Sequence, residues 1–255
     1  MGKADLHIHT IHSWDGTCSV HAVLKYASDQ AHLDCVAITD HDEVTGAQQA
    51  AELAPAYGIQ VIPGCEITTG QGHLIALFIR EKVPAGLSLI DTLLRVGEQG
   101  GLCIAAHPTA RGCSSLSEES IRRALGHPQA ASFLAGIEIF NAGIVHRKGN
   151  VNAQRLARNL PLAPIGSSDS HMLWTIGRGF TKCKGSTASD LRSALESRRT
   201  QVPIGKEAPG IGLVLGWMRG YLLRKAGWVE SNLNPAEPVR LGRLSALSPE
   251  VAATD

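Results

Sequence analysis

The chain has 255 residues, with 24 Lys and Arg against 23 Asp and Glu and a formal net charge of +1 when histidine is neutral. That length suits a single α/β domain of barrel size. The near-neutral balance, without a long basic run, excludes a strong nonspecific grip on duplex nucleic acid, while a short single strand remains an acceptable partner.

Three of the six cysteines, Cys35, Cys65 and Cys103, lie in apolar strand-like runs, and none of the six forms a CxxC pair. They read as buried thiols in a reducing compartment rather than as disulfides or zinc ligands. No basic segment leading into an apolar stretch opens the chain, so a cytoplasmic protein is expected. The eleven histidines are the unusual count, and histidine is the commonest metal ligand.

Lys3 to Thr10 reads as the first strand, in which Asp5, His7 and His9 face one way and Leu6 and Ile8 the other. A helix is expected from Ser19 to His32, with Ser19 as N-cap and Val20, Val23, Leu24 and Ala27 at helical spacing. Cys35 to Thr39 is a buried strand running into Asp40-His41-Asp42, and a helix from Thr45 to Tyr57 is stopped by Gly58. Gln60 to Thr69 carries Glu66. The next run, Leu74 to Ile79, follows Thr69-Gly70-Gln71-Gly72, a link too short for a helical crossover. It reads as a hairpin, so this strand is antiparallel and His73 starts it beside Glu66.

Leu87 to Gln99 is helical, and Leu102 to Ala106 delivers His107. Ser117 caps a helix to Leu125, and Gly136 to Phe140 is a strand ending in Asn141. A helix over Asn152 to Asn159 precedes the seventh strand, Leu162 to Gly166, which delivers Asp169 and His171. Ala188 to Arg198 is the last helix of this alternating pattern, which argues for an α/β barrel or a doubly wound sheet. The expected organisation is a domain over residues 1–205, a C-terminal helix within 206–229 packed on or beside it, and a disordered tail over 230–255. Arg219, Arg224 and Lys225 make that helix too charged for a membrane span.

The strand ends thus collect His7, His9, Asp15, His41, Glu66, His73, His107, Asp169 and His171. Imidazoles and carboxylates without thiolate suit Zn, Mn or Fe, and about four ligands would satisfy one tetrahedral site, so two or three divalent ions are expected. Glu66 is a natural bridging carboxylate. The histidines at 12, 21, 32, 127 and 146 fall on helices or loops and read as solvated surface residues.

In order along the chain, DLHIHT, S-W-D-G, TDHD, PGCEIT, GHL, AHP and SDSH resemble the polymerase and histidinol phosphatase (PHP) domain, over about residues 3 to 205. The resemblance implies a distorted seven-stranded β/α barrel with a trinuclear metal centre. It assigns the same nine side chains as ligands, with Asp15 standing where some relatives have His. It also implies that Asp5 and Asp40 orient the ligating imidazoles. TDHDEVTGAQQA is most similar to stand-alone phosphoesterases that include TrpH-like nucleotidases and 5′–3′ exoribonucleases. Those relatives often carry a substantial insertion after AHP, whereas here only Thr109 to Leu134 is available, so any lid is small.

The expected activity is hydrolysis of a phosphomonoester or phosphodiester, such as a nucleotide or short 5′-phosphorylated strand, with a hydroxide held between metals attacking phosphorus in line. Arg111 and Arg178 are candidates for gripping phosphate oxygens, and His107 or His171 for protonating the leaving oxygen. The rival readings are a histidinol-phosphate phosphatase, a metal-stabilised binding module and an amidohydrolase. Oligomeric state is not legible.

Overall fold

The apolar runs close into one curved sheet, and its curvature gathers their C-terminal ends. The computed structural model describes residues 1–144, 148–204, 210–229 and 239–240. Its elements are β1 (Gly2–Ile8), α1 (Val20–Asp29), β2 (Cys35–Ile38), α2 (Thr45–Tyr57), β3 (Gln60–Thr69), β4 (Gly72–Leu77), α3 (Leu89–Glu98) and β5 (Leu102–Ala105). There follow α4 (Glu118–Leu125), β6 (Leu134–Asn141), α5 (Lys148–Ala157), β7 (Ala163–Ser167), β8 (Thr181–Cys183), α6 (Ala188–Glu196) and α7 (Gly210–Lys225). The expectations for His146 and for most of the tail lie outside the described residues.

The strand order is β7-β6-β5-β4-β3-β2-β1-β8. β4 runs antiparallel to both of its neighbours, β3 and β5, while β1–β2–β3 and β5–β6–β7 are parallel. The Thr181 hydroxyl of β8 donates to Gly166 O at 2.8 Å and accepts from Gly166 N at 3.0 Å, tying β8 to β7. The result is a nearly closed, distorted α/β barrel, as expected from the alternation and the hairpin. The eighth strand is an addition. At three residues, β8 is too short for a period of two to show in sequence, and it forms because β1 offers an open edge.

Helix boundaries follow their local chemistry. The Ser19 hydroxyl accepts from Ala22 N at the start of α1, Gly58 ends α2 in the left-handed region at φ 61°, and Thr187 with Asp190 forms a capping box on α6. α5 starts at Lys148, before the expected Asn152.

Leu6, Ala37, Ile62, Ile75, Ile104 and Ile165 pack together, with Leu191 and Leu195 of α6 against them. Ile8, Val36 and Ile38 belong to a second cluster with Val23 and Leu24 of α1 and Ala47 and Ala50 of α2. Leu6 and Ile8 therefore do not share one face as simple alternation predicts. The register shift between Asp5 and Ile8 breaks it. Among the described residues no helix is long and apolar enough to cross a membrane.

Candidate metal centre

β1 delivers His7 and His9, whose ring centroids lie 5.0 Å apart. The chain then doubles back and brings Asp15 over the end of the strand. Gly16 allows that return, because a Cβ there would stand 1.9 Å from Thr10 O. His41 leaves β2 and pairs with Glu66 of β3 in an isolated parallel bridge. The β3–β4 hairpin sets Thr68 opposite His73, which puts the His73 ring beside Glu66. His107 and Asp169, at the ends of β5 and β7, both adopt positive φ (28° and 49°). For residues with a Cβ this backbone is strained, and it persists where surrounding contacts hold it. Glu138 accepts from His107 N at 2.6 Å, and Asn141 donates to Asp169 at 3.1 Å.

Glu66 is the hub. Its Oε2 lies 3.2 Å from His7 Nε2, 3.3 Å from His9 Nε2 and 3.2 Å from His41 Nδ1. Its Oε1 lies 3.0 Å from both His73 Nδ1 and His107 Nε2. Asp169 Oδ1 faces His7 and His9 at 3.4 and 3.3 Å, and Asp15 Oδ2 faces His41 and His171 at 3.3 and 3.0 Å. All nine sequence-derived candidates fall into overlapping groups whose ligand atoms lie within 4.8 Å of one another. One group is His9, Asp15, His41 and His171, another His7, His107 and Asp169, and Glu66 joins His7 with His9 and His41 with His73.

The side chains fit divalent cations on two counts. His7 Nε2, His9 Nε2, His73 Nδ1 and Asp15 Oδ1 are buried without a hydrogen-bond partner, although buried polar atoms are nearly always satisfied. The buried carboxylates also demand positive charge. Burial alone would push Glu66 up, but the imidazoles, His7 foremost, hold it well below the usual carboxylate range. Burial would likewise push His9 down, yet the Asp169 and Glu66 carboxylates facing it hold it up at about 10. In the metal-free cluster, protons on imidazoles supply the charge that metal ions would bring.

Sequence reasoning missed Glu138. It is buried on β6, accepts from Asn141 Nδ2 at 3.1 Å and from the Ser167 hydroxyl, and stands 3.0 Å from His7 Nδ1. A lone carboxylate within the apolar run Gly136 to Phe140 was the available signal. Asp5 and Asp40 act otherwise than expected. Asp5 accepts from Ser168 N and Gly177 N, each at 2.9 Å, and Asp40 accepts from Thr10 N and Oγ1 at 2.6 and 2.8 Å. Their short side chains reach main-chain and hydroxyl donors on neighbouring segments, so they fix the loops that carry the imidazoles. The rings are oriented by Glu138 at His7, Ser13 at His9 (3.0 Å) and Ser115 at His107 (3.1 Å).

Arg178 donates to Trp174 O at 3.0 Å and stacks 4.8 Å over the Trp174 ring, and it is not among the residues lining the cavity beside the cluster. Arg111 is exposed beside Gly112, which lines a cavity of about 310 Å³ next to Asp15, Asp169 and His171. His12 and His21 are half-buried rather than solvated, held by Gln49 at 3.1 Å and Tyr57 at 2.8 Å. None of the six cysteines is in a disulfide, and of the six Cys113 is the exposed one.

Two family models match the sequence, the PHP domain over residues 5–105 and a PHP-associated segment over residues 148–200. An uncharacterized protein of Methanocaldococcus jannaschii is 39% identical over 160 residues, which span 59% of this chain and 86% of that one. The chain belongs to the PHP-domain family. A 5′–3′ exoribonuclease of Haemophilus influenzae is 30% identical over 133 residues, 48% of either chain. A two-domain protein of Bacteroides vulgatus, described as containing a predicted PHP-like metal-dependent phosphoesterase, has the same fold. Its TM-score is 0.61 at 21% identity, over 80% of this chain and 65% of that one. Eight of the nine clustered side chains lie in the matched segments and His107 stands just beyond the first, whereas Glu138 and α7 lie outside both.

Proposed function

We propose that this PHP-domain chain hydrolyses a phosphomonoester or phosphodiester, a nucleotide or short 5′-phosphorylated single strand, using two or three divalent ions (Mn, Zn or Fe). The observation that carries the reading is Glu66, one buried carboxylate with five imidazoles at 3.0 to 3.3 Å split between its two oxygens. An oxygen pair shared in this way suits a bridging ligand, and Asp15 and Asp169 complete the donor sets on either side. Ions bound there would supply Lewis acidity toward phosphate oxygens and lower the pKa of water.

The chain's own residues divide the remaining work. His107 is engaged on both ring nitrogens, by Glu66 and by Ser115. His171 is likewise engaged on both ring nitrogens, by Asp169 O and Asp15 Oδ2 at 3.0 Å, but it is 21% exposed and lines the cavity, so of the two it is the one placed to pass a proton to the leaving oxygen. Arg111, next to the cavity-lining Gly112, is the arginine in reach of a bound phosphate; Arg178 serves the fold instead. The partial likeness to an exoribonuclease supports a nucleotide substrate.

The test is turnover of a nucleotide 3′,5′-bisphosphate, a short 5′-phosphorylated RNA and histidinol phosphate, with Mn added and again after chelation. Mn-dependent release of phosphate or mononucleotide from the first two, lost in His9→Ala, is the expected result. Turnover of histidinol phosphate alone would move the chain to the biosynthetic branch, and turnover of none with metal fully bound would overturn the enzymatic reading.

A further inference from the structure

The cavity beside the cluster has two unlike ends. One presents Asp15, Asp169 and His171, and the other presents Met172 with Leu213, Val214 and Trp217 of α7. α7 lies beyond both family-matched segments. The helix is seated on the loop that carries Asp15. Arg224 donates to the main-chain carbonyls of Ser13, Gly16 (2.6 Å) and Ile11 (2.9 Å), and Trp217 Nε1 donates to Asp15 O at 3.0 Å. A Cβ at the buried Gly220 would stand 2.9 to 3.0 Å from Thr17, so glycine lets the helix approach this closely.

We propose that α7 is the specificity element of the site, and that its wall accepts an uncharged, ring-bearing group esterified to the phosphate. The inference rests on the phosphoesterase reading for the position of the phosphate. A phosphate belongs at the cluster end, where the cations would be, and whatever is esterified to it then meets the apolar wall. Among the described residues, both carboxylates lining the cavity, Asp15 and Asp169, are in the cluster, and none stands on the α7 side. An ammonium group there would lose hydration without gaining a partner, so a cationic amino alcohol is disfavoured. At about 310 Å³ the space is large enough for a ring-sized group beside the phosphate.

Three phosphonates that resist hydrolysis test this by calorimetry on the Mn-loaded full chain: phenylphosphonate, methylphosphonate and 2-aminoethylphosphonate. Phenylphosphonate is expected to bind about tenfold more tightly than methylphosphonate, the gain of one buried ring after ordering costs. The amino compound gains nothing. Val214→Glu, at a position already 41% exposed, and Leu213→Ala should close that gap while metal content and methylphosphonate affinity stay unchanged. Val214→Glu should also favour the amino compound. Equal binding of phenyl- and methylphosphonate by the wild type, or a variant that weakens all three alike, overturns the role of α7 and leaves the phosphoesterase reading standing. Binding of none of the three overturns both.

Discussion

The two sides of the cluster are built differently. On the inner side His7 and Glu66 are 0% and 1% exposed, stand on β1 and β3, and are backed by Glu138 on β6. On the outer side Asp15 and His171 are 8% and 21% exposed and sit on loops, and α7 clamps the Asp15 loop through Arg224 and Trp217. Strand-borne ligands are fixed by folding of the barrel itself, whereas loop-borne ligands need a separate clamp. The inner side should therefore be strong and insensitive to the C-terminus, and the outer side weaker and dependent on it.

The largest expected effect follows from removing the hub. Glu66→Gln leaves five imidazoles without their shared carboxylate, and a fall in activity of at least ~10²–10³-fold is expected, with metal lost from both sides. Metal analysis showing full content in Glu66→Gln would break the idea that the two sides share one ligand. Glu138→Gln should lower activity or metal affinity by roughly 10–100-fold, through His7 and the His107 main chain, while the outer metal stays. Equal loss from both sides would mean that Glu138 supports the whole barrel rather than one side.

Arg224→Met targets the other side. It removes hydrogen bonds to three carbonyls, and a loss of about 1–3 kcal/mol in stability is expected, together with weaker binding of the last metal equivalent only. Urea unfolding and metal titration check this, and loss of the first equivalent instead would reverse the comparison.

The smallest effect is a pH dependence of the chelated protein. With its folded pKa raised from 6.5 to about 10, His9 contributes stability that is complete below pH 6.5 and lost as pH climbs toward 10. The urea midpoint of metal-free protein should fall between pH 6.5 and about pH 9, whereas metal affinity should rise over the same range because ligands must shed protons. A metal-free midpoint that rises with pH would contradict the charge balance assigned to the cluster.

Most of the inner side was legible in the sequence, because it follows from local rules. The first strand brings His7 and His9 to one end, and a two-glycine turn between strands forces the hairpin that brings His73 to Glu66. Glu138 lies inside β6 rather than at a strand end, and its one sequence signal is a charge within an apolar strand, which requires a partner when buried. β8 and the clamp by α7 leave no such trace. Arg224 bonds carbonyl oxygens about two hundred residues away, and main-chain acceptors carry no sequence signature. The partners of Asp5 and Arg178 leave no trace for a related reason. The residue types were informative, but the partners, two backbone N–H groups and a tryptophan, are set by tertiary contact.

The central claim is that one carboxylate-centred cluster holds more than one metal and that this assembly cleaves phosphate esters. The most direct test is to chelate the full chain, add Mn stepwise, and follow bound metal and phosphate-ester hydrolysis on the same samples. The account predicts two or three equivalents per chain, with hydrolysis appearing only after the first is bound. A single equivalent giving full activity, or hydrolysis unaffected by chelation, would contradict it.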